Sequence, residues 1–453
     1  MAVRRNPGTV KTALVIGLGA SGEAAARLLR RRGARVTLVD SADSDVLRRR
    51  AEALRPEGVD AVTGRQELPA GDFELCVTSP GVPSDHPWLT QCRRRGIRVL
   101  PELELGWSHL GSRVLAVTGS NGKSTLVKLC RDALRQAGKS AEAGANYGEP
   151  LSSMALAEPA PDWVVAEVSS FQLETVDCFA PDVAVLLNIN PNHLDRHGTM
   201  EVYRAMKARL FRRMGEDGTA VLPEDIGEEV RTAVPASCAV RTFGLTPGAE
   251  YRYVPGRIEG ARLAEPAGLG GTAFDNGILG RTAAACAAAM EGCGVASACV
   301  ARAAAAFERL PHRMQAVAVV RGVTFVNDSK ATNLAAMSAG IEMAAGPVRL
   351  IAGGLLKERD LESVKKILVK HVRAVYVIGK YSREMVSAWR DAVPCVVCSE
   401  LKDAVHRAWQ EASAGETVLL SPGCASFDQF RSYEDRGEQF ASMVLRIKQG
   451  EEK

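Results

Sequence analysis

No run of about 20 apolar residues occurs anywhere in this chain, so no segment qualifies as a membrane-spanning helix. A marked excess of either charge is missing too. The 57 Lys and Arg against 53 Asp and Glu leave a formal +4 over 453 residues, short of the basic surplus of a dedicated nucleic-acid binder. Short arginine clusters at 30–32, 48–50 and 93–95 each end a helix-like stretch and read as solvated surface. The eleven cysteines are spread along a chain of ordinary composition, which excludes a small disulfide framework and reads as reduced thiols in a cytoplasm. Arg4-Arg5 followed by Ala13-Leu-Val-Ile16 opens like a signal peptide, but the apolar run breaks at Gly17 and leads into a tight turn, so no targeting segment is expected. Low-complexity stretches and short-period repeats are also lacking.

What is present is enough apolar material, 46% of residues, for large cores, and a length that suggests about three domains. The first hundred residues alternate β-branched runs with helical ones: Ala13 to Ile16, Glu23 to Arg32, Arg35 to Asp40, Ser44 to Leu54. That is a βαβα series and predicts a parallel sheet. A second series opens at Arg113-Val-Leu-Ala-Val-Thr118 and continues through strands at Trp163 to Glu167 and Val183 to Asn188. The stretch from Pro247 to Gly280, rich in Gly, Pro and Ala, gives no clear element, and an alanine-rich helix is expected from Thr282 to Gly292. A third series follows Leu310-Pro311, with strands at 323–327, 349–351, 374–378 and 417–420. The expected architecture is α/β in three domains, residues 1–101, 102–309 and 310–453.

Gly17-Leu-Gly-Ala-Ser-Gly22 lies between a strand and a helix with G-x-G-x-x-G spacing, and Asp40 ends the next strand where a ribose or base would lie. Alone it suggests a dinucleotide or another nucleotide diphosphate at a helix N-terminus. More specific is the run Thr118, Gly119, Ser120, Asn121, Gly122, Lys123, Ser124, Thr125, a phosphate loop in which the usual first glycine is replaced by Val117. Its backbone N–H groups would cradle polyphosphate, Lys123 would neutralise the β/γ oxygens, and the hydroxyl of Ser124 or Thr125 would ligate Mg²⁺. Glu167 ends one predicted strand and Asn190-Pro-Asn-His193 follows the next, at the sheet edge where open α/β folds bind ligands. A carboxylate and an imidazole there would suit one or two Mg²⁺ ions. Tyr203 and Lys207 share a helix face, and by itself Lys207 reads as a surface lysine. In the third part Leu310-Pro-His312-Arg313, Asn327-Asp328-Ser329-Lys330-Ala-Thr332-Asn333 and Leu419-Leu-Ser421-Pro-Gly-Cys-Ala-Ser426-Phe427 are polar runs after strands, suited to clamping a nucleotide or a small acid. Turn formation and helix capping by Asp328, Ser329 or Ser426 is the plainer alternative.

Taken in order, T-G-S-N-G-K-S-T, E-V-S-S-F-Q-L-E, N-H-L-D-R-H, L-P-H-R, N-D-S-K-A-T-N and L-S-P-G-C-A-S-F-D-Q-F resemble the motifs of the ATP-dependent Mur ligases of bacterial peptidoglycan synthesis. The resemblance spans nearly the whole chain, and the last three motifs are most similar to those of the D-glutamate-adding member. It implies a Rossmann-like N-terminal domain for a UDP end, a central ATPase domain and a C-terminal Rossmann-like domain for ATP and amino acid. It also implies the reaction. ATP phosphorylates the terminal carboxylate of UDP-N-acetylmuramoyl-L-alanine, and the amine of D-glutamate attacks the acyl phosphate.

By the same resemblance Lys123 and Ser124 handle the γ-phosphate and Mg²⁺, Glu167 and His193 hold metal, and Lys207 is carbamylated to become a carboxylate-like ligand. His312, Arg313, Asp328 and Lys330 would meet nucleotide and intermediate. Thr332, Lys357, Ser426 and Phe427 would surround D-glutamate, and Ser21, Asp40, Ser41, Gly81 and Asn146 the UDP-sugar. UDP thereby displaces NAD as the reading of the first glycine turn. The implied protein is a cytoplasmic monomer acting on small molecules, with no nucleic acid and no membrane insertion. One departure stands out: the family's G-x-H-N-x-x-N, whose asparagines serve the adenine, is replaced here by Gly277-Ile-Leu-Gly280-Arg-Thr-Ala283. Backbone groups or Asn276 would then substitute, or nucleotide selectivity would relax. Rival readings are a ligase of the same superfamily for another amino acid or folate, a catalytically silent relative, and an NAD-dependent oxidoreductase; the last leaves the phosphate loop unexplained.

Overall fold

The computed structural model describes residues 9–450 and contains three sheets among them. The first is wholly parallel: β1 (Thr12–Ile16), β2 (Arg35–Val39), β3 (Val59–Val62), β4 (Leu75–Thr78) and β5 (Arg98–Pro101), in the order β3-β2-β1-β4-β5. Period-two alternation places its two cores. Ala13 and Val15 join Ala25, Leu28 and Leu29 of the Ala20–Arg31 helix on one face, while Leu14 and Ile16 join Trp88, Leu89 and Cys92 on the other.

The second sheet has nine strands: β6 (Arg113–Thr118), β7 (Ala141–Ala145), β8 (Trp163–Glu167), β9 (Val183–Leu186), β10 (Thr219–Pro223), β11 (Ala239–Gly244), β12 (Tyr251–Val254), β13 (Arg257–Gly260) and β14 (Ala267–Gly268). Their order is β14-β13-β12-β11-β10-β9-β6-β8-β7, parallel except for β12-β13-β14. That antiparallel margin is the stretch in which the sequence shows no clear element: its strands are two to four residues long, the first two joined by the Pro255-Gly256 turn. The alanine-rich helix begins at Gly277, five residues before the expected Thr282, because Asn276 caps it. Similarly, the phosphate-loop helix starts at Lys123 rather than near Thr125.

The third sheet comprises β15 (Gln315–Val320), β16 (Val323–Asn327), β17 (Val348–Gly353), β18 (Val372–Ile378), β19 (Cys395–Val397) and β20 (Thr417–Leu420), ordered β15-β16-β20-β17-β18-β19. Only β15 runs antiparallel. Leu350, Val375 and Leu419 point into one core and Ile351, Tyr376 and Val418 into the other.

Two compact units result: residues up to Asn188 with Glu201–Ala306, and Ile189–Met200 with Phe307 onward. Within the first, the Glu102–His109 helix joins the sheets, since the Glu102 carboxylate accepts from Ser152 N at 2.7 Å and Glu104 from the backbone N–H groups of Asp177 and Cys178. The cysteines are free thiols. One C-x-x-C run, Cys395-Val-Val-Cys398, does occur despite the otherwise scattered distribution, and burial pushes both thiols up to about 11, away from reactivity. Among the described residues no helix is long and apolar enough to cross a membrane.

Candidate functional site

β6 delivers the phosphate loop from the middle of the nine-stranded sheet. Gly119 and Gly122 hold φ of +155° and +79°, and a Cβ on Gly122 would stand 2.9 Å from the Leu187 side chain, so glycine is required at this bend. Val117, where a glycine is usual, is a fully buried strand residue instead. Asn188 clamps the loop: its Oδ1 accepts from Ser120 N at 3.0 Å and Asn121 N at 2.9 Å, and its Nδ2 donates to Asn121 O at 3.0 Å. Lys123 opens the helix and donates from Nζ to the carbonyls of Gly119 (2.8 Å) and Ser120 (3.0 Å). Thr125, one residue beyond Ser124, is half-buried.

Register sets the next contacts. Val117 of β6 pairs with Glu167 of β8, which carries the carboxylate to the loop. Ser124 Oγ donates to Glu167 Oε2 at 2.6 Å, and Asn146 Nδ2 donates to Oε1 at 2.7 Å. Asn146, expected at the UDP-sugar, is thus tied to this carboxylate. Lys207 is no surface residue: it is 1% exposed and donates to Gly119 O at 3.0 Å, with its ammonium 4.5 Å from the Tyr203 ring. Tyr203 in turn hydrogen-bonds Ser120 Oγ at 3.1 Å. Burial, reinforced by Lys123 and opposed by Glu167, drives the Lys207 pKa well below the usual lysine range.

The hydroxyl of Ser124 and the carboxylate of Glu167 form a pair of hard oxygen donors suited to Mg²⁺. Among the described residues no cluster of three or more His, Cys, Asp or Glu gathers around a metal position.

At the first sheet, Asp40 closes the glycine turn, accepting from Leu18 N at 2.8 Å and Ala42 N at 2.9 Å. Gly17 has φ +98° and Gly22 faces the Gly17 carbonyl, so these two glycines shape the turn. Ser21 is half-buried, and Ser41 and Gly81 are exposed, at the same carboxyl edge.

In the second unit, His193 holds a left-handed φ of 56° and caps the short Leu194–His197 helix. The motifs at 310–314, 327–333 and 419–427 converge. Asp328 accepts from Met314 N at 3.1 Å and from Ser421 Oγ at 2.8 Å, and burial pushes its carboxyl up to about 7 against hydrogen bonds and the charges of Arg313 and Arg309. His312 also takes a left-handed φ, 59°, its Nδ1 lying 3.1 Å from Asn327 Nδ2. Lys330 donates its backbone N–H to His312 O and sets its ammonium 4.9 Å from the Tyr433 ring. Lys357 Nζ lies 3.5 Å from Thr332 Oγ1. Ser426 is buried, whereas the adjoining Phe427 is 71% exposed.

Three supporting residues escaped the sequence reading. Asn188 and Arg436 belong to no quoted motif, and Ser421, although inside one, carried no assigned role. Arg436, fully buried, ties two motifs together by donating to Ser329 Oγ (2.9 Å), Ser329 O (2.8 Å) and Cys424 O (3.2 Å). Asn276, weighed for adenine, is consumed as a cap: its Oδ1 accepts from Ile278 N and Leu279 N, and its amide donates to Ala273 O.

Residues 11–101 match the Mur ligase MurD-like N-terminal domain, 117–262 the Mur ligase middle domain, and 312–424 the Mur ligase glutamate ligase domain. The chain is 39% identical to the UDP-N-acetylmuramoylalanine–D-glutamate ligase of Acidobacterium capsulatum, covering 96% of each chain. It is 38% identical to the protein of the same name from Koribacter versatilis, over 98% of this chain and 99% of that one. Among solved structures, the MurF ligase of Thermotoga maritima in complex with ADP is similar at a TM-score of 0.64 and 17% identity, covering 99% of this chain and 100% of that one. With three matching domains in order and near-complete coverage by relatives above 30% identity, the chain belongs to the Mur ligase family.

Proposed function

We propose that this chain is an ATP-dependent amide ligase that adds D-glutamate to UDP-N-acetylmuramoyl-L-alanine, working in the cytoplasm on peptidoglycan precursors. The observation that carries the reading is the convergence of Lys123, Ser124, Glu167 and buried Lys207 on one phosphate loop. The names of the relatives at 38–39% identity supply the substrates. The domain limits 1–101, 102–309 and 310–453 assign UDP binding, phosphoryl transfer and amino-acid capture in turn, and the chain acts as a monomer.

Phosphoryl transfer needs positioning and charge more than covalent help from the protein. Lys123 and the phosphate loop, held in shape by Asn188, bind the terminal phosphates while the substrate carboxylate attacks phosphorus and ADP leaves. Ser124, Glu167 and His193 would hold Mg²⁺, which when bound withdraws charge from the transferring phosphoryl oxygens. Burial lowers the Lys207 pKa and so eases access to the neutral amine, which adds to CO₂, losing a proton and becoming an anionic carbamate. Lys357 and Thr332, with Ser426 and Phe427, bind the amino-acid carboxylates. His312, Arg313, Asp328 and Lys330 orient nucleotide and intermediate, and the cations Arg313 and Lys330 offset the negative charge of the tetrahedral species as phosphate departs. Ser21, Asp40, Ser41, Gly81 and Asn146 hold the UDP-sugar.

Phosphate release by purified protein with Mg-ATP and UDP-N-acetylmuramoyl-L-alanine, with and without D-glutamate, tests the reading. D-glutamate-dependent turnover that vanishes in Lys123→Ala is expected; no turnover with any amino acid would refute it. Lys207→Ala retaining full activity across bicarbonate concentrations would refute the carbamate.

A further inference from the structure

We infer that Arg281 and Asp225 together read the nucleobase of the phosphoryl donor, selecting a 6-amino purine at a place where the helix beside them offers no amide side chain. The inference rests on the reading above, that the phosphate loop takes a nucleoside triphosphate.

Sheet order places the base. The loop follows β6, whose neighbours are β8 on one side and β9 on the other. The β8 side is taken by Glu167 with Ser124 and Asn146. A nucleoside leaving the loop therefore runs the other way, over β9 toward β10 and β11, whose ends lie about 10 and 14 Å from β6 at ~4.8 Å per strand. The Gly277–Gly292 helix comes to the same edge. Its C-terminal Gly292 abuts Thr219 at the start of β10, so its N-terminal turn stands at the carboxyl end of that strand.

Few polar side chains remain at this corner. Leu279 and Ala283 are apolar, and Gly280 lies flush against the Tyr253 ring, which leaves no space for a side chain. The Tyr253 hydroxyl is committed to Asp275 at 2.8 Å, and Asn276 to the helix cap. Glu224 accepts from Leu245 N, Thr246 N and Thr246 Oγ1. Arg281 and Asp225 differ from all of these. Arg281 Nη2 donates to Asp225 Oδ1, its guanidinium lies 5.9 Å from the Phe243 ring, and its Nε–H is buried without a hydrogen-bond partner. The Asp225 side chain is 66% exposed and keeps acceptor capacity toward solvent.

A guanidinium donor beside a carboxylate acceptor is the complement of an adenine edge, where the 6-amino donor adjoins a ring-nitrogen acceptor. On hypoxanthine or guanine the 6-oxo group replaces that donor and faces the Asp225 carboxylate, two acceptors in opposition. Discrimination follows from that mismatch, while affinity for the phosphates stays with the loop.

Equilibrium calorimetry on the full chain, with ATP, ITP and inorganic tripolyphosphate as probes, tests this without turnover. The wild type is expected to bind ATP at least tenfold more tightly than ITP. Asp225→Asn, which replaces a carboxylate oxygen with an N–H donor at an exposed position, should cut the ATP:ITP ratio at least tenfold and leave tripolyphosphate binding unchanged. Arg281→Met should weaken both nucleotides and likewise spare tripolyphosphate. An ATP:ITP ratio unchanged in both variants overturns the base-reading role and leaves the ligase reading standing. Failure of the wild type to bind tripolyphosphate or either nucleotide overturns both.

Discussion

Replacing Asn188 with alanine isolates what holds the phosphate loop in shape. The side chain makes three hydrogen bonds: from Ser120 N at 3.0 Å, from Asn121 N at 2.9 Å, and to Asn121 O at 3.0 Å. Ser120 N also donates to the backbone oxygen of residue 188 at 3.0 Å, and that bond survives the substitution. Two bonds are therefore lost outright and one in part. At about 1 kcal/mol each for neutral groups, the loop conformation loses about 2–3 kcal/mol. Because the loop is held before any ligand arrives, this cost falls on nucleotide binding, and at about 1.4 kcal/mol per decade it becomes a ~30- to 140-fold rise in the dissociation constant for ATP. Calorimetric titration with ATP reads the change directly, with circular dichroism confirming an intact fold. Asn188→Asp is the sharper companion: it keeps the acceptor oxygen but loses the donor and adds charge facing phosphate, so it should bind ATP no better than the alanine variant. A dissociation constant within threefold of wild type in Asn188→Ala would show that the loop is held by its backbone alone and would refute the reasoning.

Three further outcomes are expected. Glu102 is fully buried, and burial lifts its carboxyl from 4.5 to about 7, partly offset by Ser152. The unfolded chain thus ionises first as pH rises; native stability falls between about 4.5 and 7, by about 3 kcal/mol for a shift of this size, and levels off above. Glu102→Gln keeps an acceptor for Ser152 N and removes the ionisation, so its urea midpoint should match wild type at low pH and exceed it at about pH 8, beyond the end of the window; equal profiles would refute this. Gly437→Ala puts a methyl group against the His312 ring and should lower D-glutamate-dependent turnover at least tenfold, with tripolyphosphate binding unchanged as the check. Arg436→Met strands the Ser329 and Cys424 carbonyls that the buried guanidinium serves, and should cost the second unit about 4 kcal/mol in urea unfolding.

What was legible in the sequence was whatever repeats at short range. Apolar runs such as Val114 to Val117 announce buried parallel strands, and the glycines of the phosphate loop mark a bend that only they can make. Residues that acquire their role by long-range approach were not legible. Nothing local to Asn188 shows that the loop 67 positions earlier will fold onto its amide. Arg436 reads as an ordinary helical arginine until the turn at Ser329, 107 residues earlier, meets its guanidinium. The antiparallel margin β12 to β14 was obscured for a different reason: strands this short carry too few alternations to show a period.

Lys207 shows both limits at once, and the structure supplies the physical argument its spacing lacks. Its ammonium and that of Lys123 both donate to the one carbonyl of Gly119, at 3.0 and 2.8 Å. Two cations on a single oxygen repel, and Glu167 is the carboxylate set against them. Burial distinguishes the two: Lys123 is half-buried at the start of its helix, whereas Lys207 is 1% exposed beneath the loop. The lowered pKa accordingly falls on Lys207, with desolvation its largest cause. Converting Lys207 to a carbamate would replace a mutual repulsion with an attraction to Lys123 and would add an oxygen ligand where Ser124 and Glu167 supply only two.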